Sequence, residues 1–90
     1  MNQKEMIATR IKMLGGTIKN GDVLDYVIRK AENEIKDFCR VEELPEEAGI
    51  YITEWTAANF MTETTGYSKE WERMREEAES GLIKFRKMRW

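Results

Sequence analysis

The sequence has 90 residues and a mass of 10.7 kDa, which is the size of one domain, so we expect a single domain over residues 1–90. It contains one cysteine and no histidine. An internal disulfide is therefore excluded, and the commonest general base and transition-metal ligand is missing. The net charge of −2, from 15 basic and 17 acidic residues, argues against a dedicated duplex-DNA binder, which normally has a basic excess.

Hydropathy argues against a membrane partner. The apolar stretches are only a few residues long, whereas a membrane-spanning helix needs roughly 20 apolar residues. The first five residues also lack the apolar core of a signal peptide. We therefore expect a cytoplasmic setting for the newly made chain.

The first two helices are predicted from apolar spacing and end signals. Ile7, Ile11 and Leu14 share one face of a helix from Gln3 to Leu14, and Gly15-Gly16 ends it. Asp22 is the predicted N-cap of a second helix that runs from Val23 to about Cys39. Its apolar stripe consists of Leu24, Val27, Ile28, Ala31, Ile35 and Phe38.

The third helix is predicted to begin at Pro45 and to carry apolar side chains on two sides. Its broader apolar face consists of Ala48, Tyr51, Ile52, Trp55 and Ala58. A second, narrower stripe consists of Ile50, Ala57 and Met61. Two apolar sides on one helix predict two neighbours.

The last third of the sequence predicts a loop and a fourth helix. Thr62 to Tyr67 has the composition of a turn or mobile loop, and Ser68 is a suitable N-cap for the helix that follows. That helix carries the apolar stripe Trp71, Met74, Ala78, Leu82 and Phe85. Ser80-Gly81 is expected to kink or divide it. The fold class is therefore all-α: a small bundle of about four helices with a mobile loop before the C-terminal helix.

Residues with catalytic potential have simpler interpretations. The carboxylates lie at helix starts or on polar faces, where a solvated role is typical, and Cys39 ends an apolar stripe, which favours a buried structural thiol. A helix-turn-helix is disfavoured because the loop between the first two helices is about twice the usual length. We expect no catalytic residues, no cofactor and no metal site.

Three features point to a partner surface instead. Tyr26 lies on the polar side of the second helix, and the narrow stripe Ile50, Ala57 and Met61 adds a second apolar side to the third. The end of the sequence is basic and aromatic, with Phe85, Arg86, Lys87, Arg89 and Trp90 as candidate contact residues. Trp and Arg are enriched where interfaces concentrate energy. The alternatives for this last segment are a frayed helix end that complements the helix dipole and, less favoured, a nucleic-acid contact.

The order of these elements resembles a known family. The long helix closes as Ala31-Glu32-Asn33-Glu34-Ile35-Lys36-Asp37-Phe38-Cys39-Arg40, followed by Leu44-Pro45-Glu46, a third apolar helix and a final Ile83-Lys84-Phe85-Arg86-Lys87. This pattern resembles the head–tail connector proteins, also called adaptor or head completion proteins, of long-tailed bacteriophages. The similarity covers residues 1–62 and the last eight residues.

The resemblance implies structural work in the virion neck. Such proteins form a dodecameric ring beneath the portal protein, extend the DNA channel and receive the downstream connector, stopper or tail-completion protein. It implies that helices two and three build the ring contacts, that the basic-aromatic segment meets the portal or a neighbouring subunit, and that DNA is only passing channel content. There are two alternatives to this function. One is a small cytoplasmic helical module that binds or regulates one protein, and the other, less favoured because of the net negative charge, is a DNA-binding regulator.

Overall fold

The computed structural model describes residues 2–86, which form an all-α fold without strands in that range. The four α-helices are α1 (Gln3–Met13), α2 (Gly21–Cys39), α3 (Gly49–Thr65) and α4 (Lys69–Leu82). Short 3-10 helices, Glu46–Ala48 and Ile83–Phe85, precede α3 and follow α4. The predicted all-α bundle is confirmed. None of the helices in this part of the chain combines the length and hydropathy that a membrane crossing requires.

Helix α3 is the centre of the bundle, because α1, α2 and α4 all pack against it. Helix α1 runs parallel to α3: Gln3 hydrogen-bonds to Thr53 near the start of α3, and Gly16, just beyond α1, lies beside Met61 near its end. Helices α2 and α4 run antiparallel to α3. The bundle therefore has two ends, which we call the α3 N-terminal end and the α3 C-terminal end.

The buried side chains form two clusters along α3. The cluster towards the α3 C-terminal end contains Ile7, Ile11, Leu24, Val27, Ala57, Phe60 and Met61. The cluster towards the α3 N-terminal end contains Ala31, Ile35, Cys39, Ala48, Trp55, Ala78 and Leu82. The predicted stripes of all four helices contribute to these clusters, so helical periodicity located most of the core. Phe60, which is 2% exposed, belongs to none of the predicted stripes.

Several helix ends lie where the sequence predicts them, and others differ from the predicted position by a few residues. Gly15 adopts φ +88°, the left-handed conformation expected after α1. Ser68 caps α4, since its hydroxyl accepts a hydrogen bond from the Glu70 N–H. Helix α2 begins two residues earlier than predicted, because Asn20 rather than Asp22 caps it by accepting from the Asp22 N–H at 2.8 Å.

The predicted mobile loop at Thr62–Tyr67 is wrong for most of its length. Helix α3 continues to Thr65, and only Gly66 to Ser68 separates it from α4. The hydroxyls of Thr62, Thr64 and Thr65 donate to backbone carbonyls four residues earlier, which accommodates these threonines inside the helix. Gly66, with φ +93°, then ends it.

The predicted break at Ser80-Gly81 is also wrong. Helix α4 runs through both residues to Leu82 before it tightens into the 3-10 turn. The glycine has a different role, because a Cβ atom at position 81 would overlap the ring of Tyr51 on α3. Gly81 therefore permits a close contact between α3 and α4.

Candidate functional site

Tyr26 and Ile50, two of the predicted partner residues, are exposed. Tyr26 on α2 is 55% exposed, and Ile50 at the start of α3 is 62% exposed. The Lys30 ammonium lies 6.0 Å from the centre of the Tyr26 ring, at the limit of a cation–π contact. Both side chains are accessible to another molecule.

Ala57 and Met61 do not belong to an exposed surface. They are 0% and 3% exposed, and Met61 lies against Ile11 and Gly16 at the end of α1. The second neighbour that the narrow stripe predicted for α3 is therefore α1 of the same chain. The interpretation of these two residues as contacts to a partner is corrected, because a helical wheel shows that a side must be covered without showing which chain covers it.

The basic-aromatic segment begins against the helices of its own chain. Phe85 is half-buried, with its ring centre 6.4 Å from that of Tyr51. The exposed Arg86 places its guanidinium 5.2 Å from the centre of the Phe38 ring on α2. The other predicted contacts in this segment, Lys87, Arg89 and Trp90, lie outside the described residues.

Exposed apolar side chains occur at both ends of the bundle. Met13, Val23 and Tyr67 are 72%, 42% and 70% exposed near the α3 C-terminal end, on the same end as Tyr26. Ile50 and Ile83 are 62% and 58% exposed near the opposite end. Scattered exposed apolar residues are normal, but here large ones lie at both ends of a small bundle.

A groove of about 410 Å³ lies between α1 and α2, above α3. Its apolar lining includes Ile7, Ile28, Leu44 and Ile52. The fully buried Thr56 also lines it, and among residues 2–86 the hydroxyl of Thr56 has no hydrogen-bond partner. The groove is thus an apolar surface, and one unsatisfied polar atom is buried beneath its base.

The rim of this groove is mainly acidic. Glu32, Lys36 and Glu43 line it, and Lys36 pairs with Glu32 at 2.9 Å. The connector beside it presents a run of exposed acids: Glu42, Glu43, Glu46 and Glu47. Within the described part of the chain these four carboxylates make no ion pair. The electrostatic potential of this edge therefore favours a basic partner.

A polar network that sequence reasoning missed links α2, α3 and α4. Glu34 Oε1 accepts hydrogen bonds from the indole N–H of Trp55 at 3.3 Å and from Asn59 Nδ2 at 2.9 Å. Asn59 Oδ1 accepts from Arg75 at 3.2 Å, and the Arg75 guanidinium lies 4.2 Å from the Trp55 ring centre. The only sequence signal was polar residues on helix sides adjoining the core. Because its hydrogen bonds join three helices, we interpret the network as a structural clamp.

The remaining ionisable contacts are isolated pairs. Arg10 on α1 donates to Glu54 on α3 at 2.8 Å, and this hydrogen bond raises the pKa of Arg10. The Tyr67 hydroxyl bonds to Glu72, which raises the pKa of Tyr67. No group of three or more cysteine, aspartate or glutamate side chains within residues 2–86 is arranged to hold a metal ion.

Comparison with known proteins leaves the physical features of the chain as the guide to its function. No protein-family model, curated protein or solved structure matches this chain.

Proposed function

We propose that this chain is a structural subunit of a bacteriophage virion, a head–tail connector that assembles as a dodecameric ring beneath the portal protein. In this role it extends the DNA channel and receives the next connector, stopper or tail-completion protein. The resemblance of its sequence pattern to that family suggests the assignment. The structural observation that supports it is the presence of large exposed apolar side chains at both ends of the bundle.

The shape of the subunit is suited to a stacked assembly. Its principal extents are 44 × 27 × 19 Å, and the 17 residues of α3 separate its two ends by roughly 25 Å. A connector contacts one component above and another below, so it needs an accessible surface at each end. Ile50 and Ile83 supply apolar area at one end, and Met13 and Tyr67 supply it at the other.

Ring formation requires two unlike surfaces on the flanks, because each subunit of a ring contacts its neighbours through different patches. The groove between α1 and α2 lies on one flank, and α4 lies on another side of α3. The near-neutral total charge is compatible with DNA as passing channel content, because weak attraction to phosphate does not trap the duplex.

The decisive experiment is co-purification with the portal ring. A tagged portal protein from the same source is mixed with the untagged chain, and the retained complex is weighed by native mass spectrometry. We expect several copies of the chain on each portal ring. Absence of the chain from the washed portal would contradict the proposal.

Two exposed side chains, one at each end, identify the surface that meets the portal. We expect either Ile50→Ser or Tyr67→Ser, but not both, to reduce retention at least tenfold. Thr9→Ser, at an exposed polar position of α1, is the control and should be retained like the unmodified chain. Equal retention of all three variants would show that the end surfaces do not contact the portal. A one-to-one complex with a protein unrelated to the virion would favour the small regulatory module instead.

A further inference from the structure

We propose that the groove between α1 and α2 binds residues 87–90, the end of the basic-aromatic segment, of a second copy of this chain. The inference rests on the proposed function only in requiring that copies of the chain lie side by side. It assigns to the groove an occupant of defined chemistry, a short basic segment with a large apolar side chain.

The lining of the groove sets the first requirement for its occupant. Ile28, Leu44 and Ile52 are half-buried and present apolar surface to solvent, so an occupant that covers them removes that surface from water. The groove therefore favours an occupant with a large apolar side chain, such as an indole ring.

The charge of the rim sets the second requirement. Glu43 lies on the rim without an ion pair among the described residues, and Glu42, Glu46 and Glu47 lie next to it in the connector. Residues 87–90 carry two basic residues and no acidic one, together with Met88 and Trp90. It is the one stretch of this sequence that combines such a basic excess with a tryptophan. Its charge and its aromatic side chain therefore complement the groove.

The position of Arg86 favours a second copy over the same chain. Its guanidinium lies over the Phe38 ring on α2. The groove lies next to Lys36, which is two residues before Phe38 and therefore roughly 200° around the axis of α2 from it. Ile28, in the lining, is a further roughly 15 Å back along the helix axis from Phe38. The four residues after Arg86 span about 13 Å when fully extended. They are shorter than the distance back to Ile28, which favours a second copy as the source of an occupant that lies along the whole groove.

A binding measurement tests the chemistry of the contact. A fluorescent peptide of residues 84–90 is titrated with the full chain, and anisotropy is recorded at two salt concentrations. We expect saturable binding that weakens as salt rises, because screening reduces the attraction between the bases and the rim. Replacing Trp90 with Ala in the peptide should weaken binding at least tenfold. Absence of saturable binding, or no effect of this replacement, would overturn the proposal.

Two charge reversals on the protein separate a local contact from a general charge effect. Glu43→Lys on the rim should weaken peptide binding by about three- to tenfold. Glu77→Lys changes the net charge equally on an exposed position of α4, which does not line the groove, and should weaken it by less than about twofold. Equal weakening by both variants would show non-specific attraction and overturn the proposal.

A cross-linking experiment distinguishes a second copy from the same chain. A photoreactive benzoylphenylalanine replaces Trp90 in the full chain, and nitrogen-15-labelled and unlabelled chains are mixed before illumination. We expect cross-links to the groove residues, with about half of the linked peptide pairs containing one labelled and one unlabelled member. Absence of mixed pairs, or links outside the groove, would overturn the inference. Retention of the chain on the portal is measured separately, so the proposed function and this contact can fail independently.

Discussion

The ring of Tyr51 on α3 lies directly against the backbone of Gly81 on α4, in the space that a side chain at position 81 would occupy. Tyr51 also packs against Phe85, with 6.4 Å between ring centres. One glycine thus allows α4 to approach α3 closely and positions the 3-10 turn that leads into the basic-aromatic segment.

The close approach predicts that Gly81→Ala destabilises the chain. In an exposed helix this substitution stabilises by roughly 1 kcal/mol, because alanine is the better helix former. Here the added methyl group overlaps the Tyr51 ring, and overpacking of this kind costs about 1–3 kcal/mol. We expect a net loss of about 1 kcal/mol in the free energy of unfolding, measured by urea denaturation with circular dichroism.

The control for this prediction removes the obstructing ring. In a Tyr51→Ala background, Gly81→Ala should become stabilising, because only the gain in helix propensity remains. Gly21→Ala is a second control: it lies in the first turn of α2 with open space around it, and should stabilise by about 0.4–1 kcal/mol. If Gly81→Ala stabilises the unmodified chain, the contact between Tyr51 and Gly81 is not as close as described.

The sequence predicts the helices and most of the core, because both depend on local periodicity. Ile7, Ile11, Leu24, Val27, Trp55 and Leu82 were assigned to apolar stripes and are buried. Ser68 as a cap and Gly15 as a stop are local signals too, since each depends on the backbone of its own helix.

The errors concern relationships between distant residues. A run of threonines favours a loop by composition, but side chain-to-carbonyl bonds hold Thr62 to Thr65 in α3. Ala57 and Met61 are covered by α1 rather than by another subunit. The groove depends on how α1 and α2 sit on α3, so no single helix predicts its combination of Ile28, Ile52 and Thr56.

The polar network predicts that Glu34 stabilises the bundle more than its partly exposed position suggests. Glu34→Ala leaves the Trp55 indole N–H and the Asn59 amide without their shared acceptor, and unpaired buried donors cost about 1–3 kcal/mol. Glu32→Ala is the matched control on the same helix, because within residues 2–86 Glu32 pairs only with Lys36 at the surface. It should cost less than about 0.5 kcal/mol. Thermal unfolding with the two variants side by side provides the comparison, and equal losses would exclude the clamp.

The unpartnered hydroxyl predicts that Thr56→Val stabilises the chain. Valine has nearly the same shape and replaces a buried polar atom with a methyl group, so we expect a gain of about 1 kcal/mol. For a chain of this size the corresponding rise in Tm is about 4–8 °C. Thr53→Val is the control on the same helix. The Thr53 hydroxyl accepts from Gln3 at 2.7 Å and donates to the Gly49 carbonyl, so this variant should lose stability. A loss at Thr56 as well would show that its hydroxyl has a partner in solution.

The buried thiol predicts a specific fall in stability at alkaline pH. Burial raises the pKa of Cys39, and Arg86 partly offsets the effect. In the unfolded chain the thiol ionises at its ordinary pKa of about 8.5, while the folded chain keeps it protonated to higher pH. The protonated Cys39 thiol therefore makes its full contribution to the free energy of unfolding below the ordinary pKa. This contribution is lost as pH rises through the raised pKa of the folded chain.

Comparison with a variant that lacks the thiol isolates this contribution from the titration of lysines and tyrosines. The free energy of unfolding is measured between pH 7 and pH 10 for the unmodified chain and for Cys39→Ala. As pH rises, the free energy of unfolding of the unmodified chain should fall relative to that of Cys39→Ala, with a slope of at most about 1.4 kcal/mol per pH unit. Alkylation of the native thiol at pH 8 should also be slower than in urea, because Cys39 is 0% exposed. A difference that stays constant across this range, with rapid native alkylation, would mean that the cluster around Cys39 opens to solvent.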